Sequence, residues 1–485
     1  MKKYLHFAII AVLAVFSFSC KKKVFDDSGI PIIVAPPAGT TGIISPRVVY
    51  VSVTGDDSRA KALAINPATP WRTIQKAANS IASGDTVMIF GGVYSGKITI
   101  PNTCNGTATA QTVFRNVPGV PVIIDGANAG EVYEGLVNMN GGSFITLKGI
   151  KTQNVRWYGF NLGNSNNITI DSCQTFNTGA SGIYCVRGIN INITNNNVRR
   201  ACQQAFREPN GNGTQECISV VTTSNFVISR NEVWDSTIPG LAGGEGIDAK
   251  SACLNGEIFN NYVHDIMPLG IYLDAGSGIE KNIRVFNNRV INTAGVGVAG
   301  ELGGQCMELY FYNNIIRDSK STGFSFGNTG NGRFTNIYVV NNTFVNNATT
   351  VNFSGEIANY NTNPLHTNLV VRNNIIYNKG ANYKFSFFTN LLAPFVISNN
   401  LYFDFKQGLS GGINNFTTAN LTAADVQTDP LFTNLITGDL TLLTTSPAIN
   451  KGVIINAPST TTPLFTTDFN GKVRTGVWDI GAFEF

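Results

Sequence analysis

Through the middle of the chain, aliphatic residues alternate with polar ones in short bursts, and each burst breaks at an Asn-Asn pair or a close variant of it. The blocks read ITNNNV ending at Val198, ISRNEV at Val233, IFNNYV at Val263, VFNNRV at Val290, FYNNII at Ile316, VVNNTF at Phe344, VRNNII at Ile376 and ISNNLY at Tyr402. Their aligned asparagines, Asn196, Asn231, Asn261, Asn288, Asn314, Asn342, Asn374 and Asn400, are separated by 35, 30, 27, 26, 28, 32 and 26 residues. Alternation at period two predicts short strands on either side of the asparagine. The asparagine itself tolerates the left-handed backbone of a tight corner. A recurrence of this length is one turn of a solenoid. Coils stacked about 4.8 Å apart would bring the amides close enough to bond along the axis as a ladder. Leucine-rich repeats are excluded by the missing leucine spacing, and a propeller needs longer, four-stranded units. The pattern therefore predicts an all-β chain folded as a right-handed parallel β-helix.

A solenoid must cover its ends. At the front, TPWRTIQKAANSIASGDTVMIF makes Thr73 an N-cap and places Ile74, Ala77, Ala78 and Ile81 on one face of an amphipathic helix. The helix is expected to plug the first coil, with Thr86 to Phe90 as the first strand. At the back, TDPLF, TSPAINKG and DIGAFEF predict an irregular closing segment. The expected divisions are a signal peptide over residues 1–19, a tether over 20–46, an N-terminal cap over 47–85, the β-helix over 86–428 and the closing segment over 429–485.

The leader has Lys2 and Lys3, an apolar run from Phe7 to Phe16, and Ser17-Phe18-Ser19-Cys20. The run is too short to span a bilayer and ends in small residues, so it reads as processed. Cleavage before Cys20 would leave its thiol to carry a lipid, as in bacterial lipoproteins, giving an outer-membrane lipoprotein anchored through Cys20 on an undetermined face. The net charge of +4 on 485 residues is too weak to argue for nucleic acid. With 13% charged residues and 50 glycines, the surface must be largely Asn, Thr and Ser. After Cys20 the cysteines are Cys104, Cys173, Cys185, Cys202, Cys217, Cys253 and Cys306. Their spacing matches no zinc site, and buried structural thiols are favoured over disulfides.

Because charges are scarce, a cluster of them on neighbouring coils is informative. TQECISV holds Glu216, GGEGIDAK holds Glu245, Asp248 and Lys250, GIYLDAG holds Asp274, and GVGVAGE holds Glu301. Counted from the aligned asparagines, Glu216 and Glu245 are equivalent on adjacent coils, and Asp274 lies one coil beyond Asp248 and Lys250. Asp248 and Lys250 share a face, since strand side chains repeat every second residue. Stacked carboxylates repel unless a cation, a lysine or a shared proton relieves them. The bland reading is a surface ion cluster neutralised by Lys250. His264, followed by Asp265, is expected at a coil corner beside the cluster, and Arg207 in the long loop before Glu216; both are candidate substrate contacts, with Glu301.

The front block TIQKAANSIASGDTVMIFGGVYSG, the asparagine ladder and the terminal DIGAFEF resemble the pectate-lyase-like β-helix proteins of Bacteroidetes, including relatives of polysaccharide lyase family 9. The resemblance covers nearly everything from Val48 to Phe485. It implies a monomeric protein acting on an acidic polysaccharide. In family 9 an acidic residue before a glycine, with a lysine ending the same strand, resembles Glu245-Gly246 and Lys250. The family's calcium-binding aspartates on the next coil correspond here to Pro268-Leu269-Gly270-Ile271-Tyr272, with Asp274 nearby. Glu216, Glu245 and Asp274 are the expected Ca²⁺ ligands. The leading expectation is a lyase cleaving a uronate-containing chain by β-elimination, with Lys250 as base and Asp248 and Asp274 beside it. A glycoside hydrolase using two of Asp248, Asp274 and Glu245 is the alternative. A non-catalytic glycan-binding β-helix is the third reading.

Overall fold

The computed structural model describes residues 47–129, 133–203, 215–236, 243–327, 329–350, 354–379, 384–389, 395–406 and 416–485. The expected signal peptide and tether, with Cys20, and Arg207 lie outside the described residues.

Three parallel sheets wind around one apolar interior. Among the described residues they have eleven strands (sheet A), thirteen (sheet B) and twelve (sheet C). In a central coil, Ile247–Lys250 belongs to sheet A, Leu254–Phe259 to sheet B and Tyr262–Ile266 to sheet C. The chain then re-enters sheet A at Ile271–Asp274, hydrogen-bonded in parallel to the coil before. This is the right-handed parallel β-helix that the repeat predicted, with the handedness expected of parallel crossovers.

Inward columns of aliphatic side chains fill each sheet. On sheet A, Ile183, Ile218, Ile247, Ile271, Val296 and Phe324 are in register and buried. On sheet C the column is formed by Val198, Val233, Val263, Val290, Ile316, Phe344, Ile376 and Tyr402, the residues that end the repeat blocks. All seven cysteines from Cys104 to Cys306 are buried free thiols.

The Asn-Asn pair divides its work between its two members at the corner from sheet B to sheet C. The first member takes the left-handed backbone, with φ of 54° at Asn260, 54° at Asn287 and 52° at Asn313. The second turns its amide inward. Asn261 donates to Asn288 Oδ1 from both its backbone N and its Nδ2, at 3.0 Å each, and Nδ2 also donates to Ile258's counterpart one coil earlier, the Ile228 carbonyl, at 2.9 Å. The same pattern runs from Asn196 to Asn400, every member buried. Asp425 ends it by accepting from Asn400 N at 2.8 Å. The expected ladder is present, but the ladder residue is not the left-handed one. A second, outer ladder at the start of sheet B, Asn190, Asn225, Asn255 and Asn282, links amides at 2.9–3.2 Å.

Both ends differ in part from expectation. The helix Ile74–Ser80 has Thr73 as its N-cap, accepting from Lys76 N at 3.1 Å, and it buries Ile74, Ala77 and Ala78. The first strand, however, is Val48–Val51, which pairs in parallel with Thr86–Ile89 and so precedes the helix. The C-terminal segment does not close the end. It runs back along the flank, where the Thr467, Asp479 and Val453 carbonyls accept from the Asn313, Asn341 and Asn373 side chains at 2.8, 3.0 and 2.7 Å. Buried Arg474 fixes it there by donating to Asn313 Oδ1 at 2.9 Å and pairing with Glu484 at 3.0 Å. At the last coil, Phe416 packs on Phe387 and Tyr402.

Replacing an interior asparagine should cost far more than replacing an exposed one. Asn288→Ala strips partners from Asn261 N, Asn261 Nδ2 and the Ile258 carbonyl, each orphan costing about 1–3 kcal/mol. The expected loss is about 3 kcal/mol or more in chemical unfolding followed by circular dichroism. Asn255→Ala on the outer ladder should lose about 1 kcal/mol, mainly through its left-handed backbone. Equal losses would contradict this account of the ladder.

Candidate functional site

Sheet A carries the charged cluster because its strands are short and alternate strictly. In Ile247–Lys250, Ile247 and Ala249 face inward, so Asp248 and Lys250 face outward. Register places Ser219, Asp248 and Tyr272 in one outward column and Val221, Lys250 and Asp274 in the next. Glu216 and Glu245 precede their strands at equivalent positions, and Cys217 N donates to the Glu245 carbonyl at 2.7 Å. Gly246 lets the following coil approach closely: a Cβ there would lie 2.4 Å from the Gly270 carbonyl oxygen and 2.5 Å from Val263 Cγ1.

The Lys250 ammonium is hydrogen-bonded to Glu216 Oε1 and lies 4.0 Å from Asp248 Oδ2. Ser219 Oγ donates to the other Glu216 oxygen at 2.8 Å. Asp248 is 2% exposed, and its Oδ1 has no hydrogen-bond partner. Burial pushes the Asp248 carboxyl well above the usual range, and Glu216 nearby adds to the effect. Burial and Glu216 likewise raise Glu245 to about 7. Burial works against a charged Lys250, but Glu216 and Asp248 outweigh it and hold the ammonium above its ordinary pKa.

Asp274 stands one coil beyond Lys250, as expected, and is turned toward the backbone. Its Oδ1 accepts from Gly276 N at 2.7 Å and from Glu301 N at 3.1 Å, and burial raises its pKa to about 6. Glu301 accepts from Tyr272 Oη at 2.7 Å, bordering the cluster. His264 is elsewhere. It lies on a strand of sheet C, stacked on Trp234 (centroids 5.6 Å apart) and Tyr262 (4.0 Å), with Nδ1 2.8 Å from Asp265. The corner placement counted from its block fails because the strand Tyr262–Ile266 runs on past the histidine.

Ca²⁺ takes six to eight oxygen ligands. The expected set of Glu216, Glu245 and Asp274 does not offer a ready cage in this arrangement. Lys250 and Ser219 engage the two Glu216 oxygens, and two backbone N–H groups engage Asp274 Oδ1. Among the described residues no three His, Cys, Asp or Glu side chains come together to hold a metal.

Sequence reasoning missed Ser219, Tyr272 and Tyr184, which occupy the Asp248 column. The signal lay in the recurring GIYCV, CISVV, GIDAK and GIYLD segments, which align sheet A as the asparagines align the corner. It also missed Glu280, inside the coil. Glu280 is fully buried with both carboxyl oxygens unpartnered, in register with Cys306, and burial, with Asp274 adding, raises its pKa well above normal.

The arrangement is a cluster of carboxyl groups around one lysine on the outward face of a parallel β-helix, and the chain is similar in part to known proteins. A family model described as the Pel9A-like, right-handed beta helix region matches residues 49–262, a span that includes Glu216, Glu245, Asp248 and Lys250 and stops before Asp274 and Glu301. The pectate lyase PEL9 of Emericella nidulans is 37% identical over 78 residues, which is 16% of this chain and only 18% of that protein. Among solved structures, the complex of XylC with xylose aligns over 90% of this chain and 98% of its own, with a TM-score of 0.56 and 12% identity. Pectate lyase Pel9A aligns over 91% and 97%, with a TM-score of 0.50 and 15% identity. At such identities the structures establish the shared fold.

Glu280 gives a pH test. In the unfolded chain it ionises above about pH 4, whereas the folded chain resists ionisation. Its contribution is therefore fully present below that pH and is lost as pH rises toward the folded-state pKa. The fall in stability as pH rises above about 4 should be smaller in Glu280→Gln than in the parent, measured by unfolding at each pH. An unchanged fall would show that Glu280 is not buried in this way.

Proposed function

We propose that this chain cleaves a uronate-containing polysaccharide by β-elimination on the outward face of sheet A. The observation that carries the reading is the Lys250 ammonium held between Glu216 and Asp248, beside carboxyl groups lifted toward neutrality. Elimination needs a positive charge to relieve the uronate carboxylate, a base for the proton α to it, and an acid for the departing sugar oxygen. Lys250 remains charged and supplies the first. Glu245, half ionised near pH 7, takes the proton. Asp248, whose carboxyl burial raises well above the usual range, is the group assigned to deliver a proton to the leaving oxygen as the C–O bond breaks and the C=C bond forms. Lys250 as the base itself is a second assignment within the same reaction, and it needs a proton that Glu216 and Asp248 hold in place to leave. The match to the Pel9A-like family model and the likeness to pectate lyase PEL9 support an acidic polysaccharide as substrate. Under this reading Cys20 would anchor the enzyme in the cell envelope.

The raised carboxyls of Glu245 and Asp248 also suit the acid and base of glycoside hydrolysis. The products separate the two: elimination yields new ultraviolet absorbance from an unsaturated uronate, and hydrolysis yields reducing ends without it.

The test is a screen on pectate, alginate and glycosaminoglycans, with and without a chelator. The expected result is new absorbance, with kcat/KM rising through about pH 7 as Glu245 ionises. Lys250→Ala should lower kcat/KM about 10²–10³-fold. Lys250→Arg should keep measurable turnover if the group acts by its charge and none if it acts as the base. Full activity of Lys250→Ala would overturn the elimination reading. Loss of activity with chelator would bring calcium into the site.

A further inference from the structure

Along sheet A toward the N-terminal end, the outward face opens into a depression of about 380 Å³. It continues the columns of the cluster. The Asp248 column extends back through Ser219, Tyr184, Asn161 and Asn138, and the Lys250 column through Val221, Val186, Gly163 and Asn140. Gly163 lies on its floor, where a Cβ would sit 3.0 Å from Asn140 Oδ1. Tyr184 stacks face to face on buried Tyr158, with centroids 4.5 Å apart and planes 3° apart, and stands near enough to Lys250 and Glu216 for both to act on its hydroxyl. The depression and the cluster therefore share one surface.

Arg187 stands at its rim. It occupies a left-handed corner between sheets A and B (φ 55°), in the same place on its coil as Asn164 (φ 47°), Thr222 (φ 48°) and Ser251 (φ 57°) on theirs. Its side chain is exposed, donates from Nε to Asn164 Oδ1 at 2.7 Å, and has no carboxylate partner among the described residues. A left-handed corner disfavours arginine and suits asparagine. Arg230 takes a left-handed corner elsewhere (φ 55°) and donates from Nε to Asn195 Oδ1 at 2.8 Å, so what sets Arg187 apart is its place on the lining of the hollow. Two coil steps, about 10 Å along the axis, separate it from Ser251, next to Lys250.

The geometry points to a subsite for a second acidic sugar of the same chain, its carboxylate received by Arg187 and its ring seated among Tyr184, Asn161 and Asn140. This inference rests on the cluster being a site for an anionic glycan, and it adds that the glycan runs along the helix axis toward the N-terminal coils with charge at intervals. A guanidinium presents paired N–H donors that match a carboxylate. The amides are suited to sugar hydroxyls, and Tyr184 gives an aromatic wall.

Affinity electrophoresis in gels containing polygalacturonate, alginate or neutral xylan tests this without requiring turnover. The parent should be retarded by at least one of the two polyuronates and not by the neutral xylan. Arg187→Asn removes the charge while leaving a residue that accepts the left-handed corner, so its fold should be preserved. That variant should bind the same polyuronate at least severalfold more weakly, and Arg187→Lys should recover part of the loss. Retardation of Arg187→Asn equal to the parent's, or a parent retarded by xylan alone or by no polymer, would overturn the subsite. Arg187-dependent retardation by a polyuronate that the parent does not cleave would leave the subsite standing and remove the elimination reaction.

Discussion

Each interior asparagine from Asn231 to Asn374 spends both side-chain N–H groups and accepts two bonds, so neighbouring coils are joined by amides inside the core as well as by the sheet ladders outside it. A buried amide in low dielectric must have all of these partners or incur the cost of desolvation. That requirement fixes register. A strand slipped by one residue would drive the inward isoleucines of sheet A to the surface and turn Asp248 and Lys250 into the core. The stacking of Glu216 beside Glu245, and of Lys250 beside Asp274, thus depends on amides at a different corner of the coil.

A scaffold with so regular a register can hold side chains that repel or lack partners. Asp248 keeps an unpartnered buried oxygen, Glu280 keeps two, and the raised carboxyls around Lys250 are stable only because the coils cannot spread to relieve them. Such groups cost folding energy and are what an acid–base site needs, since burial is what moves a carboxyl pKa into the working range. Lys250 limits the cost by pairing directly with Glu216.

How much of this was legible depended on whether a signal was periodic. The Asn-Asn blocks marked the coil, the ladder and the sheet C core, and counting from them placed Glu216, Glu245, Asp248, Lys250 and Asp274 in their observed registers. Counting failed for His264 because its strand, Tyr262–Ile266, continues past the expected corner, leaving the ring in an aromatic stack on sheet C. The first strand, Val48–Val51, escaped notice because a helix interrupts it from its partner, and the C-terminal flank could not be foreseen because its bonds go to corner asparagines 80 to 154 residues away. Asp274 shows a further limit: sequence places a residue in a column, and only the fold reveals that two backbone N–H groups have already claimed its carboxylate oxygen.

The central claim is that the Lys250 ammonium on sheet A receives the carboxylate of an acidic glycan. A crystal structure of the protein with a bound uronate oligosaccharide tests it most directly. The account expects the oligosaccharide to lie along the outward face of sheet A with a carboxylate within hydrogen-bond distance of Lys250 Nζ. An oligosaccharide seated on sheet B or sheet C, with Lys250 still bound only to Glu216 and Asp248, would contradict it.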